Sequence, residues 1–321
     1  MNEDAPRPAV SDGIAADAQT GTELDVPEGW HVLLDELAGT SWRRLVVLGA
    51  RDRGKSSFCR VLSGALSSRG MQVGLLDTDL GQKLVGPLAC VTLGSVAGDG
   101  CFSLDRFRFV GETNPAGSMA GVVASAARLA QAARCDRLIV NTSGLVSGPG
   151  LALKRWKIDA LAPDWIIALT IGDELDAVLR PLPAEGTRRI APSCSARPKS
   201  DAFRREGRAL ALGSALEGAE WRMLRGVAAE DLQRTPPPAG SVRLCGLSDD
   251  EGEDLGIGVL GTSPTGSGPD LAVLTAVDPI RVARVRLGMA MPEGLLDRLP
   301  ARIWTPARDI RAPCGNDEAG W

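Results

Sequence analysis

The residues with the clearest chemical capacity lie between Arg44 and Gln82. Gly49, Gly54, Lys55 and Ser56 have the spacing glycine, four residues, glycine-lysine-serine of a phosphate-binding loop. The two glycines let backbone N–H groups converge on phosphate oxygens that a Cβ would obstruct. The loop from Gly49 through Arg51, Asp52, Arg53, Gly54, Lys55, Ser56 and Ser57 is therefore read as a nucleotide-triphosphate site. Two carboxylates, Asp77 and Asp79, follow a second apolar run. With Ser56 they supply the hard oxygen ligands that Mg²⁺ takes.

Such groups need elements to hold them. Leu45–Leu48 is a short apolar run, as expected of a buried strand, and it breaks at Gly49 into the loop. Phe58 to Ser68 continues as an amphipathic helix with Phe58, Val61, Leu62, Ala65 and Leu66 on one side. Its positive end then faces the phosphates. Val73–Leu76 is a second strand that delivers Asp77 and Asp79 to the carboxyl edge of a sheet. Strand-like runs at 107–110, 138–140 and 165–169 alternate with helical spacing at 116–133 and 151–161. The alternation predicts an α/β fold: a P-loop NTPase-like, mostly parallel sheet with helices on both faces. Lys154 and Lys157, beside Trp156, read as surface residues of a packed helix.

Past residue 226 the pattern weakens, and Thr235–Gly240 (TPPPAG) reads as a stiff linker. Short strands then follow at 242–247, 255–260, 271–277 and 282–287, which predict a small all-β domain, a barrel or sandwich. The expected organisation is a tail at 1–26, a P-loop domain at 27–234, a linker at 235–240, a β-domain at 241–308 and a tail at 309–321.

Composition narrows the chemistry. His31 is the one histidine in 321 residues, so a histidine base, a Ser-His triad and a histidine-rich metal site are disfavoured. A general base should be a carboxylate. Seven scattered cysteines without a C-x-x-C pair suit free thiols in a reducing cytoplasm. No apolar run is long enough to span a bilayer, and no membrane partner is expected. The net charge of −4 gives no bulk attraction to nucleic acid. Arg180 to Arg208, however, carries eight basic and three acidic residues, a candidate phosphate-contacting surface.

With these residues in view, the chain resembles the P-loop polynucleotide 5′-hydroxyl kinases that act in pre-mRNA 3′ cleavage, tRNA splicing and pre-rRNA processing. The resemblance rests on 49–58 (GARDRGKSSF), 76–82 (LDTDLGQ), 109–115 (FVGETNP), 141–150 (NTSGLVSGPG) and 203–208 (FRREGR). It extends to Leu255–Val259 and Leu274–Val277 and covers about Trp30 to Met291 in order. Leu145 stands where many members carry tryptophan.

The resemblance implies an ATP-dependent kinase that phosphorylates the 5′-hydroxyl end of RNA or DNA with ATP and Mg²⁺. Lys55 would neutralise the terminal phosphates, Ser56 would hold the metal with Asp77 in support, and Asp79 would orient and deprotonate the attacking hydroxyl. Gln82 and Thr113 would line the acceptor path. Thr142, Ser143 and Gly144 match a clasp on the nucleic-acid end. Arg204 and Arg208, with Lys199 and Arg205, match a lid near 197–212 whose cations close over the transferring phosphoryl group. Two competitors share the loop: a P-loop ATPase switch of the metal-insertion or partitioning type, and a non-catalytic ATP-holding scaffold in RNA processing. The resemblance names no protein partner.

Overall fold

The apolar run after Trp42 is a buried strand, β1 (Arg44–Gly49), preceded by helix α1 (Glu28–Gly39) and followed by α2 (Lys55–Ser67). The computed structural model describes residues 24–97, 101–233, 241–261, 270–292, 294–300 and 303. The chain divides into two units, Met1–Arg208 and Ala209–Trp321. In the first unit β2 (Val73–Asp77), β3 (Cys90–Val96), β4 (Phe102–Phe109) and α3 (Met119–Ala132) come next. Then follow β5 (Arg137–Asn141), α4 (Pro149–Leu161), β6 (Trp165–Leu169), α5 (Asp176–Leu179) and β7 (Thr187–Ile190). Helix α6 (Asp201–Ala215) begins in this unit and crosses the division.

The expected mostly parallel sheet is present, with seven strands in the order β4-β3-β2-β5-β1-β6-β7. The β2–β3 and β3–β4 pairings are antiparallel, and the other pairings are parallel. β1 lies between β5 and β6 with both faces covered, which is why its sequence is a continuous apolar run rather than an alternating one. Leu45 and Val47 pack with Leu33, Leu34 and Leu37 of α1 and Phe58, Leu62 and Leu66 of α2. Val46 and Leu48 belong to the opposite layer, with Val122 and Leu129 of α3, Leu153 and Ile158 of α4 and Val178 of α5. The strand's period of two thus divides one run between two cores.

In the second unit, β8 (Glu220–Leu224), β9 (Ala228–Asp231), β10 (Arg243–Ser248), β11 (Asp254–Leu260), β12 (Leu271–Thr275) and β13 (Arg284–Ala290) form one sheet. Its order is β8-β12-β11-β10-β13-β9, so the expected barrel or sandwich is a single six-stranded sheet edged by β8 and β9. Leu224, Cys245, Leu247, Val273 and Val285 of these strands form its buried apolar cluster with Val282. β8 and β9 precede the expected linker, yet they pair with β12 and β13 in this sheet. Both are exposed over nearly their whole length; β9 (AAED) carries no apolar alternation, and that of β8 (EWRML) is only one strand turn long. The linker 235–240 and the tail 309–321 lie outside the described residues, as does the tail at 1–26 except for 24–26.

Phe58 anchors α2 under the loop. It is fully buried and meets Trp30 edge to face, with ring centroids 5.1 Å apart. Phe58→Ala is expected to cost about 3–5 kcal/mol by cavity formation, read as a lower unfolding midpoint in chemical denaturation.

Candidate functional site

The loop after β1 is shaped by close packing. A Cβ at Gly49 would stand 2.8 Å from the Leu169 carbonyl oxygen and 3.2 Å from Lys55 Cγ, so a side chain there would break the turn. Gly54 precedes α2 at φ 79°, a left-handed conformation that glycine adopts without strain. Asp52 also has positive φ, 61°. The N-terminus of α2, with Lys55, Ser56 and Ser57, opens on a cavity of about 590 Å³, within the size range of ligand pockets.

Lys55 is buried and donates to the Ala50 carbonyl at 2.7 Å. Burial pushes its pKa down to about 8, and the Asp79 carboxylate opposes that shift. Any further anion beside it would push the value back up. Arg53 is already engaged: its guanidinium meets Glu174 through Nε at 2.9 Å and Nη2 at 2.8 Å. The Arg53 hydrogen bond holds the Glu174 carboxyl below its ordinary range.

The two carboxylates after β2 have different surroundings. Asp79 lines the cavity, and its Oδ1 accepts from the backbone N–H groups of Gly81 at 3.0 Å and Gln82 at 3.1 Å. Its Oδ2 accepts no hydrogen bond from the described residues. Asp77 is fully buried and lies off the cavity wall. Its Oδ1 accepts from Asp79 N and Asn141 Nδ2, and its Oδ2 accepts from Leu84 N and lies 3.3 Å from Lys83 Nζ. Burial pushes this carboxyl up while Lys83 pulls it down. With both oxygens engaged inside the protein, Asp77 organises the 77–84 turn and does not fit a metal ligand. Ser56 and Asp79 share the cavity wall and do fit a hard cation.

The clasp segment follows β5. Ser143 and Gly144 line the cavity; Thr142 sits beneath them and donates to Val47 O at 2.7 Å. Gly144 packs directly on the phosphate loop, because a Cβ there would lie 2.7 Å from both N and Cα of Arg51. Ser143 is 4% exposed, and its Oγ has no hydrogen-bond partner. From α6 and the segment before it, Lys199, Arg204 and Arg208 reach the same wall, whereas Arg205 is exposed and does not. Arg204 Nη2 meets Asp52 Oδ2 at 2.5 Å, and Gln82 Nε2 donates to the Arg204 carbonyl at 3.2 Å. Burial and the neighbouring arginines push the Arg208 guanidinium down from its ordinary value.

The cavity thus gathers Arg51, Asp52, Arg53, Gly54, Lys55, Ser56, Ser57, Asp79, Gln82, Thr113, Ser143, Gly144, Lys199, Arg204 and Arg208. Gly49, Asp77, Thr142 and Arg205 stand outside its wall. Three lysines are placed differently from, or go unnoticed in, the sequence reading. Lys154 and Lys157, expected on a surface, are buried at 0% and 1% exposure. Gly150, Lys154, Lys157, Ile158 and Leu161 are all on the buried side of α4, a helical stripe that could have shown the lysines facing inward. Lys83 is also sequestered, donating to the carbonyls of Asp77, Asp79 and Cys90.

Gly144→Ala is expected to displace Arg51 and weaken nucleotide binding by about tenfold or more. Calorimetric titration of the folded variant with a non-hydrolysable ATP analogue measures this.

The family model described as "mRNA cleavage and polyadenylation factor CLP1 P-loop" matches residues 49–214, just over half of the chain. A polyribonucleotide 5′-hydroxyl-kinase of Pyrococcus horikoshii is 33% identical over 165 residues, 49% of this chain and 45% of the relative. One of Methanocaldococcus jannaschii is 33% identical over 144 residues, 43% of this chain and 40% of the relative. The chain therefore spans less than half the length of these curated relatives. A chain of a solved Clp1p–Pcf11p complex superposes with a TM-score of 0.64 at 11% identity, covering 81% of this chain and 77% of that one, which shows a shared fold. Phosphate loop, clasp and lid all fall within the matched residues, and the chain belongs to the CLP1 P-loop family.

Proposed function

We propose that the chain is an ATP-dependent kinase that transfers the γ-phosphate of ATP to the 5′-hydroxyl end of RNA, with a DNA end offering the same hydroxyl. One observation carries this reading: a single cavity is lined by the phosphate loop, Asp79, the clasp residues Ser143 and Gly144, and the lid cations Lys199, Arg204 and Arg208. The names of the relatives support it.

In this proposal the N-terminus of α2 and Lys55 take the phosphates of ATP. Ser56 would hold Mg²⁺, which would neutralise charge on the phosphates. Asp79 Oδ2 accepts the proton of the acceptor hydroxyl while that oxygen forms its bond to the γ-phosphorus. The bond from that phosphorus to the bridging oxygen breaks, and ADP leaves with the electron pair. Gln82, Thr113 and the clasp hold the acceptor end, and Arg204 and Arg208 stabilise charge as it develops. Phosphoryl transfer asks mainly for such positioning and neutralisation. The buried thiols Cys59 and Cys245 support the cytoplasmic setting that the proposal includes.

Incubation with γ-labelled ATP and 5′-hydroxyl RNA and DNA oligonucleotides tests the reading, with label expected on the 5′ end. Asp79→Asn and Arg204→Ala are each expected to lower kcat by about 10²-fold or more. A wild-type protein that binds ATP but transfers no label, or that hydrolyses ATP at a rate indifferent to oligonucleotide, would overturn it.

A further inference from the structure

Lys154 and Lys157 are the largest buried polar side chains of the first unit that the proposed reaction leaves without a role. They sit one turn apart on α4, and among the described residues neither makes an ion pair with a carboxylate. Lys154 Nζ donates to Thr142 Oγ1 at 3.0 Å and to the Ser143 carbonyl. Thr142 Oγ1 donates onward to Val47 O in β1. Lys157 Nζ donates to Thr78 Oγ1 at 2.8 Å, and Thr78 Oγ1 donates onward to the Asn141 carbonyl at 2.8 Å, a carbonyl that Thr78 N also reaches at 3.0 Å.

Two lysine amino groups therefore tie together the carboxyl ends of β1, β2 and β5 through two threonine hydroxyls. The residues just beyond those ties are Gly49 of the phosphate loop, Asp79, and Ser143 with Gly144. Resting on the kinase reading, we infer that Lys154 and Lys157 are positioning residues for phosphoryl transfer. They form an internal brace that sets the clasp and the base, Asp79, at fixed places beside the nucleotide.

The chemistry favours this over packing alone. Burying a lysine amino group without a paired carboxylate is costly whether it is charged or neutral, and an apolar side chain of similar length would hold α4 against the sheet at lower cost. Two like charges on neighbouring turns add repulsion. Burial pushes Lys157 down to about 8 and Lys154 well below its ordinary value, and Asp79 counters both shifts. Lys154 also divides the polar groups of Ser143. It occupies the carbonyl and leaves the buried hydroxyl without a protein partner beneath the cavity wall that Ser143 helps to form.

The test is steady-state transfer with both substrates varied, for wild type, Lys154→Met, Lys157→Met and Thr142→Val. Methionine keeps the apolar stem and removes the donor; valine keeps the shape of threonine and removes the hydroxyl under Lys154. Lys154→Met is expected to retain a cooperative thermal melt and to bind ATP within about twofold of wild type. Its kcat/KM for the acceptor should fall by about tenfold or more, on the scale of a small misplacement of reacting groups. Thr142→Val should show the same split, and it decides the matter if Lys154→Met does not fold. Losses equal for ATP and acceptor, or full activity in the folded variants, would overturn the inference alone. Absence of transfer by the wild type would overturn the kinase reading and the inference with it.

Discussion

Three parallel strands, β2, β5 and β1, lie side by side in the middle of the sheet and end at one edge. Backbone carbonyls at such an edge have lost their ladder partners and cannot be left buried without a donor. Here two threonine hydroxyls and a buried lysine supply the donors: Thr142 to Val47, Thr78 to Asn141, Lys83 to Asp77 and Asp79. The cavity stands on this satisfied edge. Each chemically capable segment leaves the sheet within a residue or two of one of these bonds, so their relative placement follows from hydrogen bonding beneath them.

Asp77 and Asp79 show how far the surroundings separate two identical side chains two residues apart. One is closed in by Asn141, Leu84, Asp79 and Lys83, and it fixes the turn. The other receives backbone donors on a single oxygen and keeps the second one for the cavity. A sequence shows only the pair, whereas burial assigns the roles.

The same contrast explains what was legible beforehand. The loop at 49–56, the strands around it and the helices on both faces announce themselves through local spacing, because glycine conformation and strand period act over a few residues. Asp79, Ser143, Gly144 and Arg204 were found as candidates, and they line one cavity. Lys154 and Lys157 read as surface residues because lysine is ordinarily solvated, whereas it is the adjacent Trp156 that is 47% exposed. Their partners lie 12 and 79 positions away in sequence, beyond any local pattern. β8 and β9 are obscure for a different reason: both are short edge strands, β9 has no apolar alternation, and the alternating Trp221 and Met223 of β8 stay exposed.

Arg204 is held by Asp52, a residue of the phosphate loop itself with an uncommon positive φ. Only Nη2 of that guanidinium is held, and among the described residues its other N–H groups meet no acceptor. Asp52 therefore fixes where the cation points without using all of its donors. The loop thus aims a charge carried by a helix 152 positions further along the chain.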